Sequence, residues 1–371
     1  MKVGIIGAGQ LGRMLALSGY PLGLRFVFLD QSADAPGAQV GKIIVGEFDN
    51  PGALAELAEN TDIITFDVEN VPESAVRTIA GTRTFLPPVE ALATAQDRLS
   101  EKTVFTSLGI PTPRFLPVSD RAELDAALAT IGLPAVLKTR RLGYDGRGQA
   151  FLRQPAEVDP AWERFGQLPL ILEEMVAFDR EVSLIGVRRP SGETRCYPLA
   201  ENVHEDGILS YTRAPLDEPE LQATAERYVN RLMQHLDYAG VLTVEFFVTG
   251  DRLLANEMAP RVHNSGHWTI EGAVCSQFEN HVRAILDLPL GQTRAVGHAG
   301  MVNFLGDLPE LAQVLAIPGA HFHGYGKTPR PLRKLGHCTV VRRDPANRDT
   351  SMTELLALAG RAEPDSQPLV E

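Results

Sequence analysis

The alternation of strands and helices in the first ninety residues constrains the fold more than any other feature of this chain. Apolar runs typical of short strands are "KVGII", "LRFVFLD", "KIIVG", "DIITF" and "RTFLP". Helical segments lie between them, and "PGALAELAEN" and "PESAVRTIAG" each begin at a proline, which favours the first turn of a helix. Strands that alternate with helices predict a doubly wound parallel sheet. We assign this N-terminal α/β domain to residues 1–95.

The pattern changes after "AQDRLSEKTVFTSLGIPTPRF", a helical segment that ends at Gly109 and two prolines. "REVSLIGVRR", "VLTVEFFVTG" and "RLLANEMA" alternate like antiparallel strands, and short strands such as "AGMVNFLG" and "GHCTVVRR" follow residue 290. We therefore predict an α+β domain over residues 96–290, with a lid subdomain at about 115–180. A small β-rich domain with a frayed tail is predicted over residues 291–371.

The charge balance limits the kinds of partner. The chain carries 35 Lys and Arg against 47 Asp and Glu, a net charge of −12. Nucleic acids and anionic membranes both require a broad basic surface, so neither is expected as a partner. Apolar runs are too short to span a bilayer, and Cys196, Cys275 and Cys338 form no disulfide or zinc pattern. We expect a cytoplasmic protein.

The first candidate site is a glycine motif. Gly7, Gly9 and Gly12 spell G-x-G-x-x-G directly after a strand, and Asp30 ends the next strand. Glycines at these positions let the backbone approach a phosphate at a helix N-terminus. The motif fits NAD, another phosphate ligand, or a tight turn with no ligand.

The second candidate is the basic, glycine-rich segment "VLKTRRLGYDGRGQAFL". Its cations and glycines are Lys138, Arg140, Arg141, Arg147, Gly143, Gly146 and Gly148. Side-chain cations and bare N–H groups together can surround an anion. The lysine precedes the glycines, unlike in the common phosphate loop. A flexible basic hairpin at the surface is the alternative.

Two acids predict a metal site. Glu245 and Glu257 lie in apolar strands that the turn "TGDR" joins, so a hairpin would place them on neighbouring strands. Asn256 and Asn264 offer further oxygens, and Mg²⁺ prefers carboxylate and amide oxygens together with substrate phosphate. Edge carboxylates that face water are the alternative, but an unpaired charge within an apolar stretch is costly.

Two polar segments complete the candidates. "EEMV", residues 173–176, ends a strand and could supply backbone groups to an adenine and a carboxylate to ribose hydroxyls. "PRVHNSGHWT", residues 260–269, contains His263 and His267 four residues apart, a spacing that suggests zinc. A third zinc ligand is not evident from the sequence, so we favour a polar substrate loop.

Taken together, these segments resemble the ATP-grasp ligases, and among them the carboxyaminoimidazole ribonucleotide synthase family of purine biosynthesis. The resemblance runs in order from residue 5 to about residue 341. The segments that carry it are "IIGAGQLGRMLA", "FDVENVP", "QDRLSEK", "LKTRRLGYDGRGQ", "ILEEMV", "ENVHEDGIL", "NEMAPRVHNSGHWT" and "RKLGHCTV".

The resemblance implies an ATP site, a ribonucleotide site and a metal site. The ATP residues it implies are Arg98, Lys138, Gly143, Tyr144, Asp145, Gly146, Arg147, Gly148, Gln149, Glu173, Glu174, Met175, Val176, Glu181, His204, Asn256 and Glu257. The substrate residues it implies are Gly9, Gln10, Leu11, Glu69, Tyr144, Asp145, Arg147, His263, Asn264, Ser265 and Lys334. Glu245 and Glu257 would ligate Mg²⁺, or Mn²⁺ in its place, and Lys138, Asp145 and Arg261 would be catalytic.

The implied reaction is the carboxylation of 5-aminoimidazole ribonucleotide. ATP would convert bicarbonate to carboxyphosphate, which the amino group of the ribonucleotide then attacks, in a homodimeric enzyme. Three alternatives remain: an ATP-grasp enzyme such as the formate-dependent glycinamide ribonucleotide transformylase, an NAD(P)-dependent oxidoreductase, and a non-catalytic nucleotide-binding regulator.

Overall fold

The N-terminal part of the chain forms a parallel sheet, as the strand and helix pattern predicts. A computed structural model of the protein describes residues 1–143 and 148–361 and the strand at 369–370. The strand order is β3-β2-β1-β4-β5. The strands are β1 (Lys2–Ile6), β2 (Arg25–Asp30), β3 (Lys42–Val45), β4 (Ile63–Phe66) and β5 (Thr84–Phe85). The helices are α1 (Gln10–Gly19), α2 (Pro51–Asn60), α3 (Glu73–Ala80), α4 (Val89–Ala95) and α5 (Arg98–Ser107).

A four-stranded sheet follows, with strand order β6-β9-β7-β8. Its strands are β6 (Phe115–Val118), β7 (Ala135–Thr139), β8 (Gln149–Leu152) and β9 (Leu170–Glu174). Two helices, α6 (Arg121–Ile131) and α7 (Val158–Phe165), pack their apolar sides on it. Lys138, near the end of β7, is therefore held on a rigid strand.

The largest sheet is antiparallel and follows the order β16-β15-β11-β13-β14-β17-β19-β18, with β12 paired to β11. Its strands are β11 (Arg180–Arg188), β12 (Thr194–Cys196), β13 (Ala200–Glu205), β14 (Ile208–Ala214), β15 (Gly240–Thr249), β16 (Arg252–Ala259), β17 (His298–Leu305), β18 (Ala320–Gly324) and β19 (Lys334–Arg342). A separate pair joins β10 (Ala177–Phe178) to β20 (Leu369–Val370). The helices of this region are α8 (Pro219–His235), α9 (Thr269–Gly272), α10 (Gln277–Ile285), α11 (Leu311–Ala316) and α12 (Pro345–Leu358). Because β14 pairs with β17, the large sheet continues across residue 290.

Short 3₁₀ turns complete the described structure, at Tyr20–Leu22, Pro36–Gln39, Pro155–Glu157 and Asn264–Gly266. The hairpin predicted from the turn "TGDR" is confirmed, since β15 and β16 pair with Glu245 directly opposite Glu257 and a register shift follows Glu245. Helix α5 contacts β16, and the Ala255 N–H donates to the Pro111 carbonyl, which lies in the linker after α5. The three sheets thus meet around one central cavity.

Candidate functional site

A polar cavity of about 420 Å³ lies where the three sheets meet. Most of the described residues that the sequence predicted for the site line it. They are Gly9, Gln10, Leu11, Glu69, Arg98, Lys138, Gly143, Gln149, Glu181, His204, Glu245, Asn256, Glu257, Arg261, His263, Asn264 and Lys334. Residues separated by more than three hundred positions in the sequence therefore face one space.

Other predicted residues lie behind or beside the cavity wall. Glu173 and Met175 are buried, while Glu174 is half-buried and its Oε2 lies 2.9 Å from Arg114 Nε. Val176, just after β9, is half-buried. Gly148 closes the base of the glycine-rich hairpin, where its carbonyl accepts from the Thr139 N–H at 2.8 Å.

Ser265 supports the wall from behind, because its buried hydroxyl lies 2.9 Å from His263 Nδ1. The remaining predicted residues, Tyr144, Asp145, Gly146 and Arg147, lie outside the described residues.

Lys138 belongs to a buried cluster of charges. Its Nζ lies 3.1 Å from Glu173 Oε2, and the Nζ of Lys102 lies 3.2 Å from the same oxygen. Burial alone would raise the pKa of Glu173, but the charges of Lys102 and Lys138 outweigh it and hold the pKa at about 2. Glu173 is therefore an anion at every physiological pH, and it serves two cations at once.

The two acids of the hairpin face the cavity together. Burial raises the pKa of Glu245 to about 8, with Glu257 adding to the shift and the charge of His204 opposing it. Glu245 Oε1 has no hydrogen-bond partner among the described residues, and the same holds for Asn256 Oδ1 and for Asn264 Oδ1. Buried oxygens normally have a hydrogen-bond donor or a cation as partner, so these three are candidate ligand-binding atoms.

A divalent cation fits this donor set. The described residues hold no group of three or more His, Cys, Asp or Glu side chains that could cage a metal ion by themselves. Glu245 and Glu257 could still hold Mg²⁺, which commonly uses one or two carboxylates and takes its other oxygens from water and substrate phosphate. Glu257 Oε2 also lies 3.3 Å from Arg98 Nη1, so this acid has a cation beside it already.

The loop after β16 forms the other end of the cavity. Arg261 Nε lies 3.0 Å from Glu69 Oε1, within ion-pair distance but without hydrogen-bond geometry. Burial, with the charge of Arg261, lowers the pKa of His263 well below its ordinary value. A neutral imidazole beside a guanidinium suits a small polar or anionic ligand.

Zinc between the two loop histidines is not supported. His263 lines the cavity, whereas His267 is fully buried and packs against the rings of Phe278 and His337. A different histidine, His204, lies at the predicted adenosine end, where its Nδ1 is 2.5 Å from Glu181 Oε2.

Backbone N–H groups of the glycine motif donate to two carboxylates of the protein itself. The Gly12 N–H donates to Asp67 Oδ2 at 2.8 Å, and the Ala8 N–H donates to Asp30 Oδ2 at 2.8 Å. A side chain at Gly7 (φ +92°) would place its Cβ 1.7 Å from Asp67 Oδ1. Two groups that would serve a dinucleotide, the Gly12 N–H and the Asp30 carboxylate, are thus already engaged. This argues against the NAD interpretation.

Some residues at the site were not predicted from the sequence. Asp97 accepts hydrogen bonds from Arg140, at 3.0 and 2.7 Å, and from Arg141 at 3.3 Å. Both arginines thus have an internal carboxylate partner, and Arg140 also lines the cavity. Glu101 accepts from the Met258 N–H at 2.6 Å, and burial raises the pKa of its carboxyl to about 8.

Their local sequences contained weak signals. Asp67 follows the carboxyl end of β4, the edge at which parallel sheets bind ligands. The motif "QDRLSEK" places Asp97, Glu101 and Lys102 on or beside one helix, but their partners are far away in sequence.

The fold and the site define an ATP-grasp enzyme. The family model of the ATP-grasp domain matches residues 103–278. The ribonucleotide synthetase preATP-grasp domain matches residues 1–96, and the phosphoribosylaminoimidazole carboxylase C-terminal domain matches residues 299–350. The predicted fold class is confirmed.

Relatives over the full length give the particular family. The N5-carboxyaminoimidazole ribonucleotide synthase of Pseudomonas aeruginosa is 52% identical over 358 residues, which cover 96% of this chain and 99% of that protein. The synthase of Brucella melitensis is 46% identical over 347 residues, which cover 92% and 96%. This chain belongs to the N5-carboxyaminoimidazole ribonucleotide synthase family, as the sequence resemblance predicted.

Solved structures agree. The N5-carboxyaminoimidazole ribonucleotide synthetase of Thermus thermophilus superposes with a TM-score of 0.94 at 51% identity, and the match covers 98% of this chain and 100% of that one. The Aspergillus clavatus enzyme in complex with ADP and 5-aminoimidazole ribonucleotide gives a TM-score of 0.90 at 31% identity, covering 97% and 98%. In the described part of the chain, the helices lack the combination of length and apolar character that crossing a membrane requires.

Proposed function

We propose that this chain joins a carboxyl group to the amino nitrogen of 5-aminoimidazole ribonucleotide, with bicarbonate as the carbon source and ATP cleaved to ADP and phosphate. One observation carries the proposal: the Lys138 cation, the opposed acids Glu245 and Glu257, and the Arg261–Asn264 loop all face one cavity. Family membership supports it, because a solved relative binds ADP and this ribonucleotide.

The phosphate end of ATP would lie between β7 and the β15–β16 hairpin. Lys138 and Arg98 bring positive charge to this region, and charge on a transferring phosphoryl group is stabilised by such preorganised cations. Glu245 and Glu257 would hold Mg²⁺, which when bound neutralises phosphate charge. The adenosine end would be bound by backbone groups of residues 173–176 and by Glu181 and His204, while the Glu173 carboxylate stays paired with Lys102 and Lys138.

Bicarbonate is a poor electrophile, so it needs activation before an amine can attack it. Transfer of the γ-phosphoryl group to a bicarbonate oxygen forms carboxyphosphate and ADP. The amino nitrogen then bonds to the carbonyl carbon, the carbon–oxygen bond to phosphate breaks, and the nitrogen loses a proton. Arg261 and the neutral His263 would hold the bicarbonate end.

The ribonucleotide would lie between the glycine turn and the start of β19. Gly9, Gln10 and Leu11 face the cavity from one side, and Lys334 faces it from the other. Glu69, which lines the same cavity, would accept from a ribose hydroxyl or from the amine. Asp145, the predicted proton acceptor, lies outside the described residues. Carboxyphosphate hydrolyses readily, so the lid over this site would have to exclude water.

The organisation of the chain is proposed on the same grounds. Units over residues 1–95, 96–290 and 291–371 are consistent with the ranges of the family models. A homodimer remains a proposal that sedimentation would test.

The deciding experiment measures ADP release and label transfer. The protein is incubated with Mg²⁺, ATP, ¹³C-bicarbonate and 5-aminoimidazole ribonucleotide, and each reactant is omitted in turn. We expect ADP release to require all of them and ¹³C to appear in the carboxyamino product. Turnover with glycinamide ribonucleotide and formate instead would identify the transformylase. Calorimetry with NAD and NADP should show no binding, and micromolar affinity for either would revive the oxidoreductase.

A further inference from the structure

Lys102 is a fully buried lysine on α5, with 0% of its surface exposed. Removing an ammonium group from water costs several kcal/mol unless the group is paired and hydrogen-bonded. Desolvation by burial lowers the pKa of Lys102, and the negative charge of Glu173 opposes that shift. A buried charge of this kind does not contribute to the protein's surface, so its role must lie in the contacts that it makes.

The contacts of Lys102 join two different sheets. Its Nζ lies 3.2 Å from Glu173 Oε2 on β9 and donates to the Asn256 carbonyl on β16 at 3.1 Å. The adjacent Glu101 accepts from the Met258 N–H on β16. Helix α5 therefore fixes the four-stranded sheet to the β15–β16 hairpin at the floor of the cavity, where Glu257 lies beside Asn256.

The same contacts determine how much of the Lys138 charge is available to a ligand. Lys102 and Lys138 share a single carboxylate oxygen, so the three side chains carry a net charge of +1 when both lysines are protonated. Of the two lysines, Lys138 lines the cavity, and its side chain is 12% exposed. Without Lys102, Glu173 would neutralise Lys138 alone and hold it against β9.

We propose that Lys102 is a positioning residue for the ATP site. It occupies Glu173, so that Lys138 can direct its charge to the phosphates of ATP. This inference rests on the proposed function only in taking Lys138 as the phosphate ligand.

The test compares ATP affinity across charge states of the cluster. In Lys102→Met the cluster is neutral, and in Lys102→Met/Glu173→Gln it returns to +1. For the single variant we expect a KM for ATP about tenfold higher, a difference of about 1.4 kcal/mol, with the KM for the ribonucleotide unchanged. In the double variant the KM for ATP should return to within about threefold of the parent.

A matched control uses the same substitution at the surface. Lys42 is exposed and pairs with Glu56 at 2.9 Å, so Lys42→Met should leave both KM values unchanged. A purely structural role for Lys102 would lower the melting temperature of Lys102→Met and leave the KM for ATP of the folded enzyme at the parental value. That result would overturn the proposal.

The double variant keeps the test decisive if Lys102→Met does not fold. Since Lys102 is proposed to act through Glu173, its loss should matter little once Glu173 is neutral. A double variant that binds ATP tenfold more weakly than Glu173→Gln alone would overturn the proposal. Affinity for a non-hydrolysable ATP analogue gives the same comparison if the parent shows no turnover with the ribonucleotide, so failure of the proposed function can be told apart.

Discussion

The two glycine-rich segments of this chain differ in what lies beside their backbone. In the first, residues 7–12, the N–H groups of Ala8 and Gly12 already donate to Asp30 and Asp67. In the second, Lys138 faces the cavity, and its carboxylate partner Glu173 is shared with Lys102. The N–H groups of the first segment thus bind carboxylates of the protein itself, whereas the second segment presents the positive charge of Lys138 to a ligand.

This difference shows what a glycine motif does and does not predict. Glycines predict a backbone that another group can approach closely, but the identity of that group depends on residues elsewhere in the chain. Asp67 is 55 positions away from Gly12, and it fills the place that a ligand phosphate would take in a dinucleotide site. The same spacing of glycines is therefore compatible with a closed turn and with an open anion site.

The largest expected effect comes from Glu257, at the end of the cavity that Lys138 and Arg98 also line. Glu257→Gln should reduce ADP release in the complete reaction by roughly 10²–10³-fold, the scale of removing one preorganised electrostatic contact. The fold should survive, because Glu257 is half-exposed at the cavity. Near-parental turnover at ordinary Mg²⁺ concentration would show that Glu257 is not a ligand of the metal ion.

A smaller effect is expected from the lid of the second segment. Asp145→Asn should bind ATP with near-parental affinity, because Lys138, Glu245 and Glu257 are unchanged. Carboxylated product should fall by roughly 10²-fold, the scale of losing an acid–base group. If Asp145 only stabilises a turn before Gly146, asparagine would replace it well and product formation would stay within a few-fold of the parent.

The sequence predicted those parts of the molecule that depend on local patterns. Alternating apolar runs predicted the parallel sheet, and the turn "TGDR" correctly predicted that Glu245 and Glu257 lie on neighbouring strands. The resemblance of short motifs to a known family was confirmed over nearly the full chain. The roles of the individual site residues remain proposals.

The contacts that the sequence did not predict all join distant positions. Lys102 reaches an oxygen 154 residues away, and Arg140 pairs with Asp97, 43 residues away. Charge composition cannot show which cations have internal partners, because that depends on how α5 packs between the sheets. Buried ion pairs are therefore the part of this site that only the three-dimensional structure shows.

The closed state of the first segment predicts a steric effect on stability. Gly7→Ala should destabilise the protein more than Gly23→Ala does. Both glycines have positive φ, +92° and +75°, so both alanines carry backbone strain of roughly 1–3 kcal/mol. At Gly23 an added Cβ meets no atom within 4 Å, whereas at Gly7 it meets Asp67 Oδ1.

The measurement is the free energy of unfolding of both variants in denaturant. The steric contact should add about 1–3 kcal/mol to the cost at Gly7, the usual range for an overpacked site. Equal losses in the two variants would mean that Asp67 moves away easily and that the first segment is not closed by it.

The same carboxylate predicts a pH dependence. Burial raises the pKa of Asp67 from 3.8 to about 6, although the Gly12 N–H opposes the shift. A carboxyl whose pKa is higher in the folded state contributes stability that is present below pH 3.8 and is lost as the pH rises through about 6.

Asp67→Asn keeps an oxygen that can accept from Gly12 and does not titrate. The free energy of unfolding of this variant, relative to the parent, should therefore rise between pH 4 and pH 7, by up to roughly 3 kcal/mol. Buried histidines are common to both proteins, so their titration cancels in the difference. A difference that stays flat across this range would show that folding does not raise the pKa of Asp67. The N–H groups of the first segment would then stabilise the Asp67 carboxylate enough to offset its burial.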